Sequence, residues 1–303
     1  MTEVMLQCQL SDGRIIKKSA GSDHEHVTIS KTEILSIDLS PLSNLSDLKS
    51  LSLTRNNLKA IDLTPLRSCS RLVSLNLSHN QLNKVNLNHL DERCSIERLS
   101  LSYNPLKQVD LSPIVEWKKL RTLRLTGCDL DEIDLGPLSR IESLEQLSLA
   151  YNNLKKLDLS PLASCNHLEI LSLNRNEMKN LDLSPLSECS SLKTLNIGDN
   201  PLVTIDLSSL AECENLYSLV LNKTPLETVD LKPLMNLGNL NGLDLSRNQL
   251  KMVDLCPLTH CNKMYEVNLE NNPLESVIVP RDFSCPGLKM NQDNELVFKE
   301  MEC

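Results

Sequence analysis

Three sets of side chains in this sequence have types and spacings that could do chemistry. Eleven cysteines could ligate a metal, pair as disulfides or act as nucleophiles. His24 and His26 could offer two imidazoles to one cation. Nine aspartates (Asp38, Asp62, Asp110, Asp134, Asp158, Asp182, Asp206, Asp230 and Asp254) recur at multiples of one interval and could hold cations or a basic partner.

Each set also has a structural explanation. Cys69, Cys165, Cys189, Cys213, Cys261 and Cys285 share one address in a repeating pattern, and Trp117, Ile141 and Leu237 fill it elsewhere. A slot that takes Cys, Leu, Ile or Trp is a packing slot, so buried free thiols are expected rather than bridges or metal ligands. Arg93, beside Cys94, is the misfit. The odd cysteine count, the lack of bracketing Cys-x-x-Cys pairs and a start without a basic end and apolar run predict a reducing compartment, the cytoplasm. The sequons at Asn44, Asn76 and Asn222 then carry no meaning. His24 and His26 lie in a polar connector with no placed third ligand. No glycine-rich phosphate loop, H-E-x-x-H or G-x-S-x-G is present, so no catalysis, cofactor or metal is expected.

The elements that position these residues follow from a period of twenty-four. Leu144–His167 restarts without insertion, its first residue recurring as Leu48, Leu72, Ile96, Leu120, Leu168, Leu192, Leu216, Leu240 and Met264. Written out, the unit is L-x-x-L-x-L-x-x-N-x-L-x-x-I-D-L-S-P-L-x-x-C-x-x. Leu147 and Leu149 alternate with polar or small neighbours, which predicts a strand with one buried face. Seven side chains (Leu144, Leu147, Leu149, Leu154, Leu157, Leu159 and Leu162) should point inward and be buried only by stacking on the next repeat. The ninth position is Asn in eight of ten repeats, with Cys128 and Thr224 as substitutes; a carboxamide there can satisfy backbone donors and acceptors where the chain leaves the strand. Ser40-Pro41, Ser160-Pro161 and their equivalents predict a short outer helix or 3₁₀ turn with the serine as N-cap. The aspartates should bond backbone N–H groups at the start of that turn, their charge offset by lysines two or three positions earlier, such as Lys155, Lys156 and Lys251. A stacked acidic edge for a basic partner is the alternative.

This pattern resembles the leucine-rich repeat family over about Val27 to Cys285. The resemblance implies an α/β fold: a horseshoe-shaped solenoid with a concave parallel sheet, short helical or 3₁₀ turns on the convex side, and a role in protein–protein recognition. The expected organisation is an N-terminal β-hairpin cap over residues 1–23, about eleven repeats over 24–286, and a C-terminal cap over 287–303 in which Leu296, Val297 and Phe298 cover the last repeat. The hairpin follows from the alternation Val4, Leu6, Cys8, Leu10, the Asp12-Gly13 turn and the return through Ile15-Ile16.

A formal net charge of −9 and the lack of a long apolar run argue against nucleic-acid and membrane binding. Within this acidic chain the eighth position of successive repeats reads Lys31, Arg55, His79, Tyr103, Gly127, Tyr151, Arg175. With Arg98 and Arg124 from neighbouring columns it predicts a basic, aromatic strip on the concave face, free of acids at positions three, five, seven and eight up to Arg175. Tyr and Arg are enriched at binding hot spots. The site residues expected are Arg55, His79, Arg98, Tyr103, Arg124, Tyr151 and Arg175, with Gly127 leaving a notch between the two tyrosines. The function expected is a non-enzymatic scaffold or adaptor that binds a protein partner through an acidic segment. The alternative is an inhibitor or regulatory subunit that occludes an enzyme, which would call for an added partner-binding loop. An extracellular receptor would call for a signal and disulfide caps.

Overall fold

Alternating leucines pin each repeat to a three-residue strand, short because only the fourth and sixth positions face inward before the chain must turn. The computed structural model describes residues 4–21, 24–90, 95–281, 283–291 and 297–301, the last of these as backbone only. Arg93, Cys94 and Leu296 lie outside the described residues. The chain divides into two units, Met1–Asn152 and Asn153–Cys303.

In the first unit, β1 (Met5–Leu10) and β2 (Ile15–Ser19) form an antiparallel hairpin, and β1 also pairs antiparallel with β4 (Ile34–Ile37) of the first repeat. The turn is closed by Gly13 at φ +87° and by Asp12, whose carboxylate accepts from the N–H of Arg14 at 3.0 Å. Leu6 and Cys8 are buried. The parallel strands are β3 (His26–Thr28), β5 (Ser50–Ser52), β6 (Ser74–Asn76), β7 (Arg98–Ser100), β8 (Thr122–Arg124) and β9 (Gln146–Ser148). Their register is fixed at twenty-four residues, as in Leu99↔Leu123↔Leu147.

The second unit repeats the scheme with β10 (Ile170–Ser172), β11 (Thr194–Asn196), β12 (Ser218–Val220), β13 (Gly242–Asp244), β15 (Glu266–Asn268) and β17 (Gly287–Lys289), all parallel. A second parallel sheet joins β14 (Met252–Asp254), β16 (Ser276–Pro280) and β18 (Val297–Met301). Strand pairing therefore continues past residue 286, where the sequence spacing decays.

Asn152 shows why the turn after each strand holds. Its Nδ2 donates to Leu149 O (2.9 Å) and to Leu125 O of the preceding repeat (2.8 Å), while its Oδ1 accepts from the N–H groups of Cys128 (2.9 Å) and Leu130 (3.1 Å). Six of the seven inward side chains of this repeat are buried, but Leu157 is only half-buried.

The outer turns are 3₁₀ helices, such as Ser160–Ser164 and Ser184–Glu188, each with a leucine rather than a serine at the N-cap and no side-chain capping bond. The expectation of a serine cap is corrected by the aspartate two residues earlier. Each of the nine column aspartates accepts the N–H of residue i+2 at 2.7–2.9 Å, and Asn86 does the same for Asn88 at 3.0 Å. The Ser160 hydroxyl and then its N–H both donate to Asp158, holding that carboxyl below the usual range. The upstream lysines do not neutralise this column: Lys155 approaches Glu177 (3.9 Å) and Lys251 approaches Glu275 (3.8 Å).

The cysteine slot is more than a packing slot. Cys69, Cys189, Cys213 and Cys261 each donate a thiol hydrogen bond at 3.3–3.4 Å to a leucine carbonyl twenty-seven residues earlier. Trp117 uses its indole N–H in the same way, on Leu90 O at 2.7 Å. Eight cysteines are free, seven of them buried; Cys285 is half-buried. Cys256, outside that column, is disulfide-bonded, and Cys94 and Cys303 lie outside the described residues.

Candidate interaction surface

The eighth-position residues stand just beyond the ends of the strands, and the whole column shares one backbone state. Arg55, His79, Tyr103, Gly127, Tyr151 and Arg175 have φ between 56° and 62°. Side chains branched at Cβ are strained in this left-handed region, and none occurs in the column. That exclusion is the sequence signal for a turn at the eighth position. The N–H groups of Arg55, His79, Tyr103 and Gly127 each donate to the seventh-position carbonyl of the next repeat, as in His79 N to Ser102 O (2.8 Å) and Tyr103 N to Thr126 O (2.7 Å). The side chains are thus held one repeat apart and exposed.

His79 stacks on Tyr103, ring centroids 4.3 Å apart and planes inclined by 15°. Tyr103 in turn lies against Gly127: a Cβ added there would stand 2.9 Å from the tyrosine Cδ1. The expected notch between Tyr103 and Tyr151 is therefore occupied by the Tyr103 ring itself. Partial burial and then the charge of Arg55 lower the His79 pKa, which keeps the stacked imidazole neutral at pH 7.

Arg98 (on β7) and Arg124 (on β8) are exposed on the sheet. Arg124 Nη2 donates to Gln146 Oε1 at 2.8 Å. Arg98 Nη1 lies 3.6 Å from Glu97, a second-position acid, so the strip is not isolated from negative charge. Second-position residues also pair along that edge: Lys49 with Glu25 at 2.6 Å, and Arg121 with Glu145. Six of the seven expected site residues lie in the first unit. Arg175 belongs to the second, where its Nε is 3.1 Å from Asp199, itself 3.4 Å from Lys223.

Sequence profiles agree with this geometry. The leucine rich repeat profile matches residues 25–82, 46–106, 118–178 and 142–202, and the BspA type leucine rich repeat region matches 186–284. The chain belongs to the leucine-rich repeat family. No curated protein matches it. Among solved structures this leucine-rich repeat protein is similar to an internalin (inlF) of Listeria monocytogenes, at TM-score 0.71 and 23% identity over 92% of this chain and 83% of that one. It is also similar to the functional domain of InlJ from the same organism, which includes a cysteine ladder (TM-score 0.58, 20% identity, 94% and 65% covered). A third likeness is to the Arabidopsis receptor kinase HAESA, solved with the peptide hormone IDA and the co-receptor SERK1 (TM-score 0.68, 23% identity, 84% and 43% covered). The chain thus spans less than half of that receptor chain, and these identities establish the fold alone.

Among the described residues no group of three or more His, Cys, Asp or Glu side chains converges to hold a metal ion, and no helix is long and apolar enough to cross a membrane. His26 Nδ1 lies 2.9 Å from the Ser50 hydroxyl.

Proposed function

We propose that this leucine-rich repeat protein is a non-enzymatic interaction module that binds an acidic segment of a partner protein through the exposed column of its first unit. The observation that carries the reading is the His79–Tyr103 stack against Gly127, in an acidic chain that nevertheless sets Arg55, Arg98 and Arg124 around it. A stacked pair of flat rings is a contact surface that loses little conformational entropy on binding. Guanidinium groups beside it suit carboxylates, with which they form paired, charge-assisted hydrogen bonds. We also infer a cytoplasmic location: eight free thiols support it, and the disulfide at Cys256 weighs against it.

The test begins by capturing a partner from the source cell and measuring its binding kinetics. Tyr103→Ala should raise the dissociation rate about tenfold, the range of a hot-spot aromatic. Arg124→Glu should chiefly slow association and weaken its salt dependence. Unchanged affinity in both variants overturns the reading.

A further inference from the structure

Beyond the first-unit surface, and independent of it, the second unit carries a recess of different chemistry. It has a volume of about 820 Å³ and is lined by Lys155, Lys156, Glu177, Lys179, Asn180 and Pro201. These residues come from the tenth, twelfth and thirteenth positions of three successive repeats, so the stacking that buries the leucines also gathers the lysines.

Two other recesses overlap these repeat positions, sharing the thirteenth, and their charge differs. One, in the first unit, is lined by Asp110, Glu132 and Asp134 with no base. The other is lined by Glu227, Asp254 and a single base, Lys251. Of these three recesses, the one at Lys155–Pro201 alone gathers several bases, and it alone has no column aspartate in its lining. Asp158 and Asp182 accept the N–H groups of Ser160 and Ser184 at 2.9 Å, as the other column aspartates do in their own turns, and neither lines this recess.

Lys155 has an acid within 3.9 Å, Glu177. Lys156 and Lys179 make no ion pair among the described residues. Three ammonium groups against one carboxylate leave two positive charges, which matches the −1.5 to −2 of a phosphate monoester at neutral pH. Lysine meets phosphate as a mobile point charge and needs no fixed fork. Pro201 in the lining, and Val203 exposed two residues on, offer apolar surface beside the charge. An acidic side chain carries one charge and would leave the second ammonium unanswered.

From this we infer that the recess is a docking site for a phosphorylated serine or threonine in a partner polypeptide, with the phosphoryl oxygens between Lys156 and Lys179 and the neighbouring residue of the segment against Pro201.

Fluorescence anisotropy on the full chain in 150 mM salt tests this, with the labelled peptide Ac-Gly-Ala-pSer-Val-Gly-amide and its serine and glutamate counterparts as probes. The phosphoserine peptide should bind at least about tenfold tighter than either counterpart. Its dissociation constant should rise about tenfold in Lys156→Gln/Lys179→Gln and stay unchanged in Lys59→Gln, a lysine of the same column in the first unit. All three side chains are exposed, and a thermal melt of each variant confirms that the fold is intact. Equal binding of the glutamate peptide overturns the assignment of a phosphoryl group. Full binding by the double variant, or tighter binding to vesicles containing phosphatidylserine than to the phosphopeptide, overturns the site. Tyr103→Ala and Arg124→Glu should leave this binding untouched, which separates its failure from failure of the first-unit surface.

Discussion

At the scale of the residue, the asparagine column shows how much one side chain can hold. Asn152 makes five hydrogen bonds to backbone across two repeats, whereas its substitutes make fewer. Cys128 offers a thiol to Leu101 O at 3.4 Å, and Thr224 has a single hydroxyl hydrogen to share between Leu221 O and Asn248 Oδ1, both 2.7 Å from its Oγ1. Asn152→Leu should therefore cost about 1–3 kcal/mol, because it strands buried backbone groups without removing them. Cys128→Asn should be neutral or stabilising, since it returns a second donor to the turn. Urea denaturation midpoints measure both, and a silent Asn152→Leu would sink the argument. This column was legible in the sequence because one residue type recurred where only a donor-and-acceptor fits. The Tyr103 ring over Gly127 was not, because a missing Cβ says that something comes close without saying what.

At the scale of the element, the outer turn is set by an acceptor two residues upstream of its first residue. The carboxylate's bond to the N–H at the start of the turn is legible in the sequence, which sets an aspartate two residues before each Ser-Pro; that the serine is not also the cap is not legible, because Ser and Pro both favour helix starts. The hydroxyl and N–H of Ser160 hold Asp158 below the ordinary carboxylate range. The bond therefore stabilises the fold above the unfolded value of about 4 and is lost as pH falls through the lower folded value. Asn86 performs the same task without titrating. Asp158→Asn should accordingly leave the denaturation midpoint unchanged at pH 7 and raise it relative to the parent at pH 3. A variant that unfolds in acid alongside the parent would show that the carboxylate bond carries no acid sensitivity.

At the scale of the whole molecule, the thiols are the group whose environment is most uniform. Burial pushes Cys69, Cys165, Cys213 and Cys261 up to about 11 and Cys128 and Cys189 up to about 12. An unfolded chain ionises its thiols near 8.5, so their contribution is complete below that pH and disappears as pH rises toward 11–12. Stability should therefore decline from pH 9 upward. A thiol reagent at pH 8 should leave these six cysteines unmodified until the chain is unfolded, and mass spectrometry after brief labelling reads the outcome; rapid labelling of the native protein would contradict the buried column. The cross-repeat bonds described above join residues 22, 23, 24 or 27 apart. Every partner therefore has a chemical twin one repeat away, and excision of any twenty-four consecutive interior residues rejoins equivalent ends. Length in such a chain is heritable in whole steps: a gene can gain or shed a repeat by unequal recombination and still encode a continuous hydrogen-bond network, whereas a single inserted codon misaligns the rungs that span it.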